Sequence, residues 1–201
     1  STIINLINRF YDINRGRILV DGKEIKDYEL TDLRRNVGVV MQDVFLFSDT
    51  IEYKITLGNH NISRERIEET AKLIGADRFI NKLPGGLDYN VMERGATLSV
   101  GQRQMISFLR AMVYDPRIII LDEATSSVDT ETEEMIQQAI HKILEGRTSI
   151  IIAHRLSTIQ EADTIMVMDH GEIKEKGNHE QLLELEGLYS RLYQIQYRSA
   201  V

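Results

Sequence analysis

Asp122 and Glu123 stand side by side, directly behind the aliphatic run Ile118-Ile119-Ile120-Leu121. Adjacent carboxylates at such a place divide into two tasks: one holds Mg²⁺, the other polarises a water for attack on a phosphoryl group. Taken alone, the pair also fits a capped turn beside a solvated glutamate. Two more apolar runs end in polar side chains. Val37-Gly38-Val39-Val40-Met41 leads into Gln42, and Ser149-Ile150-Ile151-Ile152-Ala153 leads into His154. A histidine or a glutamine at a strand end is ordinary by itself. An amide that orients water, a carboxylate base and an imidazole facing phosphate, all on adjacent strand ends, are much more specific together.

A second feature is Leu98-Ser99-Val100-Gly101-Gln102, followed by Met105, Ile106, Phe108, Leu109, Met112 and Val113 on one helical face and Arg103, Gln104 and Arg110 opposite. Ser99 with Gln102 three residues on reads as a capping box at a helix start. The box does not account for Gly101, because glycine in a helical turn costs roughly 0.5–1 kcal/mol relative to alanine. A glycine there lets a phosphate approach backbone N–H groups at the positive end of the helix. An anion site explains both residues.

These groups need a scaffold that aligns them. Short β-branched runs without alternation read as strands buried on both faces, as in a parallel sheet. In an open α/β sheet the ligand lies beyond the carboxyl ends of the strands, so the three polar endings meet in one crevice. Helical patterns fill the gaps. Residues 3–11 group Ile3, Ile4, Ile7, Phe10 and Tyr11, and residues 131–144 group Met135, Ile136, Ala139, Ile140 and Ile143. From Asp43 to Asp115 no comparable strand occurs; helical stretches at 65–75 and 100–113 predict an inserted helical subdomain. Residues 164–168 and 172–176 flank Asp169-His170-Gly171, a hairpin signal, and two helices near 178–185 and 187–197 close the chain.

Composition limits the partners. The 201 residues suit one domain with an inserted subdomain, and 42% hydrophobic content supports a packed core. No apolar run approaches the roughly 18 residues of a membrane span, and the N-terminus does not read as a signal peptide. With no cysteine there is neither a disulfide framework nor a thiolate metal site. A net charge of −7 argues against nucleic acid as a partner. The bulk expectation is a soluble cytosolic globular domain.

Quoted together, the motifs resemble one family. Leu98-Ser99-Val100-Gly101-Gln102 is similar to the signature of ATP-binding-cassette (ABC) transporters, with Val100 where glycine is commoner. Ile118 to Glu123 resembles their Walker B strand, Ser126-Ser127-Val128-Asp129 the D-loop, Val40-Met41-Gln42-Asp43 the Q-loop, and Ile152-Ala153-His154-Arg155 the switch-histidine segment. Glu93-Arg94-Gly95 and Phe45-Leu46-Phe47-Ser48-Asp49-Thr50-Ile51 look like exporter elements. Ser1-Thr2-Ile3-Ile4-Asn5-Leu6 resembles the residues that follow the Walker A lysine. The glycine loop, that lysine, the strand leading into them and the adenine-stacking aromatic are therefore expected upstream of Ser1.

The resemblance implies an α/β fold: a P-loop NTPase core with a mostly parallel sheet, an inserted α-helical subdomain, and a C-terminal β-hairpin and helices. The expected divisions are 1–42 for the first part of the core, 43–115 for the helical subdomain and 116–201 for the remainder. It implies an ATPase of the exporter kind that works as a head-to-tail dimer with a second nucleotide-binding domain. Ser1, Gln42 and Asp122 would hold Mg²⁺, Glu123 would be the general base, and His154 would contact the γ-phosphate. Thr2 would join Ser1 in binding ATP. Ser99, Gly101 and Gln102 would bind the γ-phosphate of the partner's ATP, and Asp129 would reach across the interface. Glu93 and Arg94 would couple to a transmembrane domain, placing the protein at the cytoplasmic face of a membrane. Residues 1–201 alone are expected to bind MgATP weakly, to turn none over, and to carry a gap in the sheet. Rival readings are a soluble ABC ATPase of DNA repair or translation, and a regulatory domain that binds nucleotide without hydrolysing it.

Overall fold

The computed structural model describes residues 2–41, 48–91, 97–122, 130–153 and 156–199. The chain divides into two compact units, Ser1–Ile152 and Ala153–Val201.

The first unit opens with helix α1 (Thr2–Ile7). The sequence pattern would carry this helix on to Tyr11, but the backbone stops it earlier. Arg9 takes a left-handed conformation (φ 51°), and the Phe10 and Arg9 N–H groups donate back to Asn5 and Leu6 carbonyls. That paired closure is a Schellman-type end, built here without glycine. As a result Ile4 is buried while Ile3, Phe10 and Tyr11 are exposed, and the Arg34 guanidinium lies over the Phe10 ring. Next come β1 (Leu19–Val20) and β2 (Lys23–Glu24), an antiparallel pair turned by Asp21 and Gly22, both at positive φ. Such Asp-Gly turns suit the right-handed twist of a hairpin. Helix α2 (Leu30–Asn36) is capped by the Glu29 carboxylate, which accepts from the Asp32 N–H; that bond holds the Glu29 carboxyl below its usual range.

The central feature is a three-stranded parallel sheet of β3 (Val37–Val40), β6 (Ile118–Asp122) and β7 (Thr148–Ile152), with β6 in the middle. Val40 pairs with Leu121, and Asp122 with Ile152. Ile119, Ile120 and Leu121 are buried, as a central strand requires. β7 departs from the expected double-sided burial. It lies at an edge of this sheet, and its side chains are exposed or half-buried.

Between β3 and β6 the chain forms β4 (Asp49–Thr50), α3 (Ile51–Thr56), α4 (Arg64–Ile74), α5 (Asp77–Ile80), β5 (Asn90–Val91) and α6 (Val100–Val113), with β4 and β5 paired antiparallel. Thr50 and Ser63 cap α3 and α4 through their hydroxyls, and Gly75 ends α4 in the left-handed conformation. α6 is the hub. Met105, Ile106, Phe108 and Leu109 pack with Ile51, Ile55, Ile67, Ile74, Ile119 and Ile136 in one cluster. Gln104 and Ser107 are buried as well, so the polar face expected for α6 is narrower than its sequence suggests. Helix α7 (Thr130–Leu144) buries Ile136, Ala139, Ile140 and Ile143 as its periodicity predicts. A second cluster (Ile4, Ile25, Leu33, Val37 and Ile120) covers the sheet near α1 and α2.

Arg147 ties the two crossovers together at the far end of the sheet. Its Nε donates to the Pro116 carbonyl (3.1 Å) and Nη1 to the Ile143 and Glu145 carbonyls, while Nη2 pairs with Asp115 (2.7 Å). One planar guanidinium thus fixes the starts of β6 and β7.

The second unit comprises α8 (Leu156–Gln160), the hairpin of β8 (Ile165–Asp169) and β9 (Glu172–Gly177), α9 (His179–Glu184) and α10 (Leu188–Ser199). His170 and Gly171 supply the two positive-φ turn residues, as the sequence predicts. Glu175 on β9 accepts from the Leu188 and Tyr189 N–H groups and so caps α10 from a neighbouring strand. No helix among the described residues is long and apolar enough to cross a membrane.

Candidate functional site

Parallel pairing in continuous register brings the carboxyl ends of β3, β6 and β7 to one end of the sheet. Asp122 is the last residue of β6 and is half-buried. Among the described residues no cation pairs with it and it lies in no metal-ligand cluster, so its oxygens are open to a hard cation. Gln42, Glu123 and His154 follow β3, β6 and β7 by two, one and two residues, and all three lie outside the described residues. Ser1, Glu93, Arg94 and Asp129 also lie outside them. Thr2 opens α1, whose Ile4 packs with Val37 of β3 and Ile120 of β6, so that helix is anchored on the same sheet.

The signature turn is resolved in atomic detail. The Ser99 hydroxyl accepts from the Gln102 N–H (3.2 Å), and the Gln102 amide oxygen accepts from the Ser99 N–H (3.0 Å), a reciprocal capping box. Gly101 is buried in the first turn. Two backbone donors of this helix start are thereby satisfied internally; those of Val100 and Gly101 head the fourteen-residue helix, where the macrodipole favours an anion. Sequence reading placed Arg103 only on a polar face. In the structure its Nη1 donates to the Leu98 carbonyl (2.7 Å), fixing the residue that precedes the turn. No pattern in the sequence marks this bond, which reaches back five residues across the start of the helix.

The chain is similar to known proteins of one family. Residues 1–126 match the ABC transporter family. The chain is 53% identical over 201 residues to an uncharacterised ABC transporter ATP-binding protein, YknV, of Bacillus subtilis; the match covers 100% of the chain and 33% of that protein. It is 52% identical over 198 residues to an ATP-dependent lipid A-core flippase of Haemophilus influenzae, covering 98% of the chain and 34% of the flippase. A bacterial Atm1-family ABC exporter solved with ATP bound superposes with a TM-score of 0.88 at 44% identity, over 97% of the chain and 34% of the exporter. The chain thus spans about a third of the length of these relatives. The mostly parallel α/β fold expected from sequence is the fold observed.

Proposed function

Because the chain belongs to the ABC transporter family, we propose that it is the ATP-binding and ATP-hydrolysing part of an exporter. It would couple hydrolysis to movement of a substrate across a membrane. The observation that carries this reading is the common level at which β3, β6 and β7 end, with Asp122 at the tip of the central strand. The carboxylate of Asp122, with Gln42 and Ser1, would hold Mg²⁺, which neutralises charge on the phosphates. Glu123 accepts a proton from the attacking water. Gln42 orients that water, and His154 binds the γ-phosphate. Thr2 supports the phosphates from the start of α1.

The signature turn serves a second copy of the site. Ser99, Gly101 and Gln102 bind the γ-phosphate held by a paired nucleotide-binding domain, and Asp129 reaches across the same interface. Nucleotide therefore favours the closed pair, and its hydrolysis releases it. Glu93 and Arg94 transmit this motion to a transmembrane domain, which places this part of the protein at the cytoplasmic side of the membrane. Residues 43–115 act as the helical subdomain between the core segments 1–42 and 116–201. Among the relatives named above, one is a flippase and one an exporter, which favours transport over DNA repair, translation or nucleotide sensing.

The direct test is Glu123→Gln in the full-length transporter. Loss of a general base lowers turnover by about 10²–10⁴, while ATP binding should persist. ATPase activity within about tenfold of the parent would remove Glu123 from this role.

A further inference from the structure

The peptide unit that joins Leu98 to Ser99 is bonded at both edges. Its oxygen accepts from Arg103 Nη1 (2.7 Å), and its N–H donates to the Gln102 amide oxygen (3.0 Å). One carbonyl further on, the Ser99 oxygen accepts from the Arg103 backbone N–H (3.0 Å). Arg103 thus holds two consecutive carbonyls, one with its side chain and one with its main chain.

These bonds decide which way the Gln102 side chain faces. An amide carries an acceptor oxygen on one side and a donor NH₂ on the other, and its shape prefers neither way round. Because the Ser99 N–H is held toward Gln102, the amide oxygen turns inward and the NH₂ outward. Reversed, the amide would present an oxygen to an anion at the helix start and repel it. Ser99 stands at φ −65° and ψ 164°, the extended conformation of an N-cap, and the Leu98 side chain is buried in the main core cluster. The core anchors Leu98, and the Arg103 bond fixes the plane of the peptide that follows it. A cationic donor at 2.7 Å makes a charge-assisted bond, the stronger kind.

We infer that Arg103 is a positioning residue for ATP-driven pairing: through the Leu98 carbonyl it locks the Leu98–Ser99 peptide and so keeps the Gln102 amide donor aimed at the γ-phosphate of the partner's ATP. The inference rests on the role proposed for Ser99, Gly101 and Gln102, and it adds a residue that acts only through its neighbours. Without the Arg103 bond the peptide can turn, the Ser99 N–H leaves Gln102, and the amide loses its fixed orientation.

The test uses the full-length transporter carrying Glu123→Gln, with ATP-driven closure of its nucleotide-binding domains followed by the distance between spin labels placed on them. Arg103→Met keeps the length of the side chain and removes its donors. It should raise the ATP concentration for half-closure at least about tenfold, as loss of a charge-assisted bond does. Arg103→Lys, which retains a cationic donor for the Leu98 carbonyl, should recover most of the closure. ADP lacks the γ-phosphate and so reports the nucleotide's own site alone; its affinity should stay within about twofold of the parent in both variants. A variant that loses ADP affinity as well, or fails to fold, would make Arg103 a merely structural residue and overturn the inference. So would Arg103→Lys closing no better than Arg103→Met. If Arg103→Met closes as the parent does while Ser99→Arg does not, the inference falls and the role of the signature turn stands. If both close as the parent does, that role falls too.

Discussion

Ser99 has two tasks that compete for few atoms. Its hydroxyl oxygen accepts from Gln102 to cap α6, leaving its own hydrogen free to donate outward. Gln102 is tied back through its amide oxygen, which leaves the amide NH₂ as its outward-facing donor. Capping and phosphate binding are therefore compatible, since the box consumes acceptors while an anion needs donors. The two roles separate by substitution. Ser99→Ala removes the cap and should cost about 0.5–2 kcal/mol of stability, read by urea unfolding. Ser99→Arg, placed in the full-length transporter, should abolish ATP-dependent pairing of the nucleotide-binding domains while leaving each one folded. Size-exclusion chromatography of those domains with ATP in a Glu123→Gln background is the measurement. Undiminished pairing would reduce the Ser99–Gln102 turn to a cap.

Among the elements, β3 and β6 approach each other closely at Gly38. A methyl group there would lie 2.7 Å from Pro116 Cγ and 2.9 Å from Ile119 Cδ1. The proline ring cannot swing aside, so the strand itself must shift. Gly38→Ala should therefore destabilise the first unit by about 1–3 kcal/mol, as overpacking does, and thermal unfolding would report it. A neutral result would mean that the sheet has slack at this place.

The elements that were legible in sequence have one thing in common: burial decided them. α6 and α7 carry apolar periodicity, and β3 and β6 unbroken apolar runs, because each packs into the Phe108–Ile119–Ile136 cluster or against Ile120. The misreadings occur where local bonds outvote periodicity. α1 stops at Ile7 because Arg9 closes it. β1 and β2 have only the Asp21-Gly22 turn to mark them, since two-residue strands give no alternation to read. Of the site, Asp122 and the signature turn could be read from residue type and spacing. Arg103 could not, because a side chain that donates to a carbonyl five residues earlier leaves no pattern.

At the scale of the whole molecule the two units differ in how much they bury. The first holds nearly all of the described core, whereas the second buries Thr158, Leu182, Tyr189 and Ser190. A segment of some 50 residues with so little apolar interior has little local stability to draw on. Hydrogen exchange should accordingly find the amides of β8, β9 and α9 opening well before those of α6 and β6. Equal protection in the two sets would show that they unfold as one cooperative body.

The pairing of Val37 with Ile118 has a consequence in time. These partners are separated by about 80 residues, which a ribosome adds in roughly 4–16 s at 5–20 residues per second. During that interval β3 has emerged but its neighbour does not yet exist, and an unpaired apolar strand invites association with another chain. The intervening segment closes only the last part of this window, because α6 ends at Val113, five residues before β6 begins at Ile118. α3, α4 and α6 bring together Ile51, Ile55, Ile67 and Met105 from within a single stretch of nascent chain, so they can condense as soon as α6 emerges. Val40 belongs to that same cluster. The helical segment is thus complete only about a second or less before β6 emerges, so β3 gains its packed cover and its neighbouring strand almost together.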